Sequence, residues 1–506
     1  MVYFLHDMII VQDFFMMTPV TSANEQPQGE ITFEPETVVV PPQNDTPSTV
    51  IPQMPESPPT VAPHTPNPWP KRIIAFIIII ILIIGAVFGG RFVFSMLQGS
   101  KQVTITYWGL WENDAILKPL ISAFEEAHPK IKVQYIKQSH KQYRERLQAA
   151  ITRGEGPDVF RFHNTWVPML VQELQPVPET VMTPTEFQRS FFPVAANDLI
   201  GGTTIYGIPL EIDGLGLYYN EDLFARAGIT TPPTTWAEVL AMIPKIAKPD
   251  GVTFAVSAIA LGTTNNVEHY SDILATMFMQ NGANLTNPTG KEAEETLLFY
   301  RKFSNPNDPL YTWNETMDNS IYAFASGKVA MILAPSWRAF DIAEINPSLR
   351  FKIAPIPQLP GNTVNWASYW VEGVSSKSKY PAQAMEFLKF LTSREGATIL
   401  YSEEAKTRKL FGEPYARMEL AGSLTSDPYV GAFITQGRDA RSFPLASRTF
   451  DNGLNDKLIK YLEDALNALK TGSSPTAELE TMKLGFQQIF TTYGLTTNTS
   501  SAQQQP

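Results

Sequence analysis

The chain has 506 residues, too many for one hydrophobic core and enough for two or three domains. It contains no cysteine, which excludes disulfides, thiolate metal sites, a cysteine nucleophile and a lipidated cysteine, so another anchor is needed if the protein stays with the cell. Its net charge of −11 is concentrated at the front: residues 1–70 hold eight acidic side chains and no Lys or Arg. The rest carries 39 basic against 42 acidic groups, too even a balance for a nucleic-acid footprint.

Residues 1–18 mix apolar and acidic side chains without the basic start of a secretion signal, and read as an upstream extension, with Met16 or Met17 as alternative starts. From Thr18 to Pro70 the composition turns to Pro, Thr, Gln and Glu. Such a stretch cannot bury enough apolar surface to offset its ordering entropy, so 1–70 is expected to be a disordered acidic, Pro-rich tail. Lys71-Arg72 then precede eighteen uncharged residues, Ile73–Gly90, nine of them isoleucine. At 1.5 Å per residue these reach about 27 Å, so 73–97 is predicted to be a single transmembrane helix. The two basic residues before it favour a cytoplasmic N-terminus, and the remainder of the chain is expected outside.

Beyond it the pattern changes. Val103–Tyr107 and Ile131–Ile136 alternate as strands, and Asp158–Phe162 reads as a third. Between them, Asn113–His128 sets Ile116, Leu117, Leu120, Ile121 and Phe124 at helical spacing before Pro129, and Lys141–Arg153 forms a second helix before Gly154. This βαβαβ order predicts a parallel sheet covered on both faces, with ligand at the carboxyl ends of the strands. Near the end, Asp451–Thr471 carries leucines on one helical face, and 493–506 reads as a polar tail.

Four segments, in order, resemble the extracellular solute-binding protein family 1, the sugar-binding components of ABC importers that include maltose-binding protein. They are VTITYWGLWEND with the strands and helices after it through Tyr143–Phe160, then Ile205–Val239, Ala323–Trp337 and Tyr369–Ser393. The resemblance implies an α/β, two-lobed periplasmic-binding-protein-like fold with a hinge. The chain should cross between lobes near Glu211–Leu215 and Pro355–Pro360. Lobe one would comprise about 103–212 and 357–400, and lobe two about 213–356 and 401–492, within a binding domain of 103–492. The implied function is membrane-anchored, extracytoplasmic capture of a carbohydrate and delivery to ABC permease subunits, by a monomer without cofactor, metal or catalysis. Two other readings stay open: a sensory ectodomain signalling through its cytoplasmic tail, and a glycosidase using two carboxylates such as Glu112 and Glu211.

A sugar presents C–H faces and a rim of hydroxyls, so its cleft needs aromatic platforms and fixed polar groups. Trp108, Trp111 and Glu112 stand at the end of the first strand, and Phe162, His163, Asn164 and Trp166 at the end of the third. The resemblance adds Glu211 and Asp213 at the first crossover and Trp337 as a stacking residue of the second lobe. Trp366, Tyr369, Trp370 and Glu372 form a further aromatic–acid cluster, from which Trp370 is the chosen contact, and Arg338 and Arg441 are weaker candidates. The pair Tyr218-Tyr219 invites an iron-binding reading, against the plainer one of a strand after the crossover.

Overall fold

A computed structural model describes residues 102–495, and the expected βαβαβ run opens it. The tail 1–70, the apolar segment 73–97 and the end of the chain past 495 lie outside the described residues. Among the described residues no helix is long and apolar enough to cross a membrane. Val103–Gly109 pairs in parallel with Ile131–Lys137 on one side and Val159–His163 on the other. The helix between the first two strands begins at Asp114, because the Asn113 side chain accepts from the Ile116 N–H (3.2 Å) and caps it. It buries Ile116, Leu117, Leu120 and Phe124, the face the spacing predicts. All five residues of Val159–His163 are buried, as expected of a central strand covered on both sides.

The first sheet continues with Trp370–Ser375, antiparallel to Val159–His163, and Ile208–Pro209 pairs with Trp370–Ser375. The second sheet has the order Phe351–Ala354, Gly216–Asn220, Val329–Ala334, Thr253–Ile259, Lys248–Asp250. The chain therefore leaves the first sheet after Pro209, enters the second at Gly216, and returns between Ala354 and Trp370. On the return, residue 358 is still tied to the second lobe, through Trp236 N–H to Gln358 O (3.2 Å). The helix Arg394–Arg408 continues past residue 400 while packed on Asp114–Ala127 of the first lobe. Helices Leu454–Lys470 and Pro475–Thr492 pack on each other and reach the second-lobe helices Tyr270–Gln280 and Lys291–Lys302.

Three segments run side by side where the lobes join. Glu211 bridges to Tyr415 and Gly214 to Ala367. A Cβ built on Gly214 would lie 1.8 Å from the Trp366 carbonyl oxygen, so only glycine allows this approach. Gly214→Ala is expected to destabilise the protein by about 1–3 kcal/mol or more, measured by urea unfolding, because the clash is with backbone that cannot swing aside. An unchanged midpoint would show that the two crossovers have room to separate.

Candidate functional site

The loop after the first strand is fastened to the second: Tyr135 OH donates to Glu112 O (2.7 Å) and Lys137 Nζ to Trp111 O (2.8 Å). This holds the Trp111 ring near Trp370 (centroids 5.4 Å, edge-on) and stacked on His140 (5.9 Å, 27°). Trp370 in turn meets His163 at 5.2 Å and Trp166 at 5.4 Å. Trp111 and Trp370 are half-buried, and Trp108 also keeps partial exposure on the first strand. The fold thus gathers strand-end aromatics from distant parts of the sequence into one patch.

His163 and Asn164 are buried and already partnered. His163 Nδ1 faces Thr165 Oγ1 (2.8 Å) and Nε2 faces Ser368 Oγ (3.0 Å), while burial lowers the imidazole to about 3, so it is neutral. Asn164 donates to Asp198 (2.8 Å) and accepts from the Tyr369 N–H (3.2 Å). Phe162 and Trp166 lie in the core, Phe162 against Gly207 and Gly373. Asp158 braces its turn, accepting from Thr106 N–H (2.8 Å) and Ser378 Oγ (2.6 Å). Trp366 is likewise buried and donates to Asp272 (2.8 Å), whereas Arg441 is exposed.

Glu112 is buried and receives both oxygens' bonds from Arg161 Nη1 at 2.9 Å. Burial alone would raise its carboxyl, but Arg161, Arg408 and the hydrogen bonding beside it together outweigh this and hold it at about 2. Glu372, bonded to Arg161 Nε at 2.6 Å, is raised by burial to about 7. At the first crossover Glu211 accepts from the Trp370 N–H (3.3 Å). Asp213 accepts from Gly214 N–H (2.8 Å), Ser336 N–H (3.1 Å) and Ser336 Oγ (2.9 Å); burial, with Glu211 nearby, pushes it up to about 8. Asp213 therefore ties the crossover to the turn that carries Trp337.

Trp337 is 38% exposed, with the Arg338 guanidinium 4.0 Å from its ring centre and His269 at its edge (5.8 Å). Arg338 is fixed by His269 Nε2 (3.0 Å), Glu268 (2.7 Å) and Asp341 (2.7 Å). The tyrosine pair does not form a site: Tyr218 is buried and donates to Pro335 O (2.5 Å), while Tyr219 leans on Phe224. Successive residues of a strand point to opposite faces, so the two phenols cannot share one ion.

The turn 447–452 was not singled out by its sequence, yet it links the two aromatic groups. Ser447 Oγ meets His269 Nδ1 (2.7 Å), and Arg448 pairs with Glu268 on the Trp337 side. Two residues on, Phe450 packs on His140 (4.6 Å), beside Trp111. Arg448, Phe450 and Asn452 have φ of 60°, 53° and 44°, a left-handed backbone that non-glycine residues adopt at a cost. The surroundings hold it there: Asp451 O accepts from Arg144 Nε (2.6 Å) and its carboxylate from Asn455 N–H and Nδ2 (both 2.9 Å). The Asn452-Gly453 pair was the available signal of a turn. A separate hollow of about 760 Å³, lined by Leu298, Arg301, Tyr311 and Leu469 among others, shares no residue with this site.

The chain spans 72% of its length, at 25% identity over 382 residues, when aligned with the multiple sugar-binding protein of Streptococcus mutans, covering 90% of that relative. Its fold resembles a cyclo/maltodextrin-binding protein solved with maltotetraose (TM-score 0.62, 20% identity, 78% of this chain and 99% of that one). It also resembles the sugar-binding protein MalE of Xanthomonas citri (TM-score 0.61, 19% identity, 77% and 98%). The family model of bacterial extracellular solute-binding proteins matches residues 108–398, more than half of the chain. With two sheets joined by paired crossovers and aromatic side chains gathered on each lobe, this chain belongs to the bacterial extracellular solute-binding protein family.

Proposed function

We propose that this protein captures a carbohydrate between its lobes and delivers it to an ABC importer. The single observation that carries the reading is the aromatic arrangement: Trp111 and Trp370 half-exposed on the first lobe and Trp337 exposed on the second, with Glu211 and Asp213 at the crossover between them. Rings take the C–H faces of a sugar and fixed carboxylates take its hydroxyls. Trp108 would serve from the edge of the cleft, Asp213 by holding the turn that carries Trp337, and His140 and Phe450 extend the aromatic surface of the first lobe. Glu112, His163, Asn164, Phe162 and Trp166 act in this reading by holding that surface in place. The relatives' ligands point the same way, since maltotetraose is bound by one structural neighbour and the Streptococcus mutans relative is a multiple sugar-binding protein.

The protein binds and does no chemistry. Glu112 is committed to Arg161 and kept ionised, so it has no proton to give a glycosidic oxygen. The two lobes, with the return crossover falling between 358 and 370 and the helix Arg394–Arg408 kept with the first lobe, move about the crossovers as hinge-closing binding proteins do. The segment 73–97 anchors the domain outside the membrane, keeping it concentrated beside its transporter. The test is a thermal-shift screen of the full chain against mono-, di- and oligosaccharides, with polyamines and glycerol phosphates as comparison. At 100 times its dissociation constant a true ligand stabilises by about 2.7 kcal/mol. A shift confined to sugars is the expected result; a shift confined to the other solutes overturns the carbohydrate reading.

A further inference from the structure

Beneath the crossovers lies a group of charges of which solute binding uses only Glu211. Five carboxylates, Glu112, Glu211, Glu372, Glu404 and Glu413, surround two guanidiniums, Arg161 and Arg408. They come from every element packed there: the loop after the first strand, the third strand, the crossover, the strand Trp370–Ser375, the helix Arg394–Arg408 and the segment after it. Tyr107, Tyr135 and Tyr143 border the group, with the Tyr143 hydroxyl donating to Arg161 O (2.8 Å), and Asp213 stands next to Glu211. Glu112, Glu372 and Glu404 are fully enclosed, and one oxygen each of Glu372, Glu404 and Glu413 accepts no hydrogen bond.

Five negative against two positive charges cannot all persist in such a place, because an unpaired buried carboxylate costs several kcal/mol. A metal ion is one remedy, and Glu112, Glu404 and Glu413 bring oxygens within 4.8 Å of one another. That position is taken. Arg408 Nη2 stands 3.5, 3.5 and 3.4 Å from the three carboxylates, where a cation would sit. The remaining remedy is the proton. Glu413 brings a carboxylate oxygen within 4.8 Å of those of Glu112 and Glu404 and sits on the segment that pairs with that of Glu211, and carboxylates gathered this closely cannot all stay ionised.

We propose that Glu413 carries a proton at neutral pH and bonds through it to the neighbouring Glu112, removing its repulsion with Glu211 on the paired segment and making the junction of the crossovers a proton-dependent lock. The placement makes it a lock rather than a local detail. Glu413 and Glu211 sit on segments that pair with each other, through Ile212 N–H to Pro414 O (2.9 Å) and the Glu211–Tyr415 bridge. When the proton leaves to solvent, carboxylates on both partners repel and the pairing loosens. Glu404 reinforces the effect: its other oxygen accepts from the Glu413 N–H (2.7 Å), and burial raises its own carboxyl to about 8. Burial, with Glu211 and Glu404 close by, likewise raises Glu413 well above the ordinary carboxyl range.

The sign follows from linkage. A carboxyl whose value is raised on folding contributes stability that is complete below its unfolded value and is lost as pH climbs through the folded one. For Glu404 that window runs from 4.5 to about 8. The experiment compares the full chain with Glu413→Gln and Glu404→Gln, since glutamine keeps the shape and hydrogen-bonding of the protonated acid. Infrared spectra at neutral pH should show a protonated-carboxyl band that weakens in Glu413→Gln. Amide exchange in peptides covering 209–216 and 409–418, corrected for its intrinsic pH dependence, should rise across that window in the wild type and stay flatter in both variants. A band unchanged by Glu413→Gln, or exchange with the same pH dependence in all three proteins, would overturn the proposal. Neither readout needs a solute, so its failure is separable from failure of the carbohydrate reading.

Discussion

Replacing Arg161 with methionine is expected to lower the free energy of unfolding by about 3–5 kcal/mol. The guanidinium is buried on the third strand and bonds Glu112 and Glu372, 49 and 211 residues away in sequence. Methionine fills much of the space but leaves Glu112 and Glu372 enclosed without their partner, and that uncompensated charge sets the magnitude. In a domain whose total stability is of order 5–15 kcal/mol this is a large fraction, and a melting temperature lower by on the order of 10 °C is expected. Arg161 is the largest of the groups that together lower Glu112 to about 2, so the part of its contribution that comes from Glu112 is present above the ordinary value of 4.5 and is lost as pH falls from there towards 2. The deficit of the variant should therefore shrink in acid. Adding Glu112→Gln and Glu372→Gln should recover part of the loss, because the stranded charges disappear with their partner. A deficit under about 1 kcal/mol at neutral pH, measured by urea unfolding, would mean that water reaches these carboxylates after all.

The second large effect concerns binding. Trp337→Ala should weaken affinity for the stabilising sugar by about 2–4 kcal/mol, roughly 30- to 1,000-fold, while moving the melting temperature of the unliganded protein little. The separation follows from exposure: the ring is 38% open to solvent and rests on Arg338, which keeps three other partners when the ring is gone. Titration calorimetry of both proteins measures the difference directly. An affinity within a factor of two or three of the wild type would take the stacking role from Trp337 and leave it with Trp111 and Trp370.

Much of the architecture is set by local pattern and needs no partner to be read. The alternation in Val103–Gly109 and the apolar spacing of Asp114–Ala127 each follow from the period of their own element. Their order dictates parallel pairing of the first three strands, since a strand–helix–strand unit packs back only one way, whereas the antiparallel Trp370–Ser375 beside them arrives from far along the chain. Strand ends rich in aromatic residues mark where a ligand surface can form, and Trp108, Trp111 and Trp370 do stand at such ends.

The roles within that surface depend on contacts that sequence separation hides. Arg161 in the apolar run VFRFH announces that a buried charge needs partners, but not that they arrive from the loop at Glu112, the strand at Glu372 and the segment at Glu413. His163 and Asn164 have the chemistry of ligand contacts, and only the packing shows their hydrogen bonds already committed to Ser368, Thr165, Asp198 and Tyr369. Phe450 meets His140 because Asp451 is anchored by Arg144 and Asn455, which fixes a left-handed turn that intrinsic preference disfavours. Sequence by itself determined the elements, because helix and strand preferences are properties of neighbours along the chain. Tertiary structure alone decided which polar groups were spent and which were free, because burial and partner supply are properties of neighbours in space.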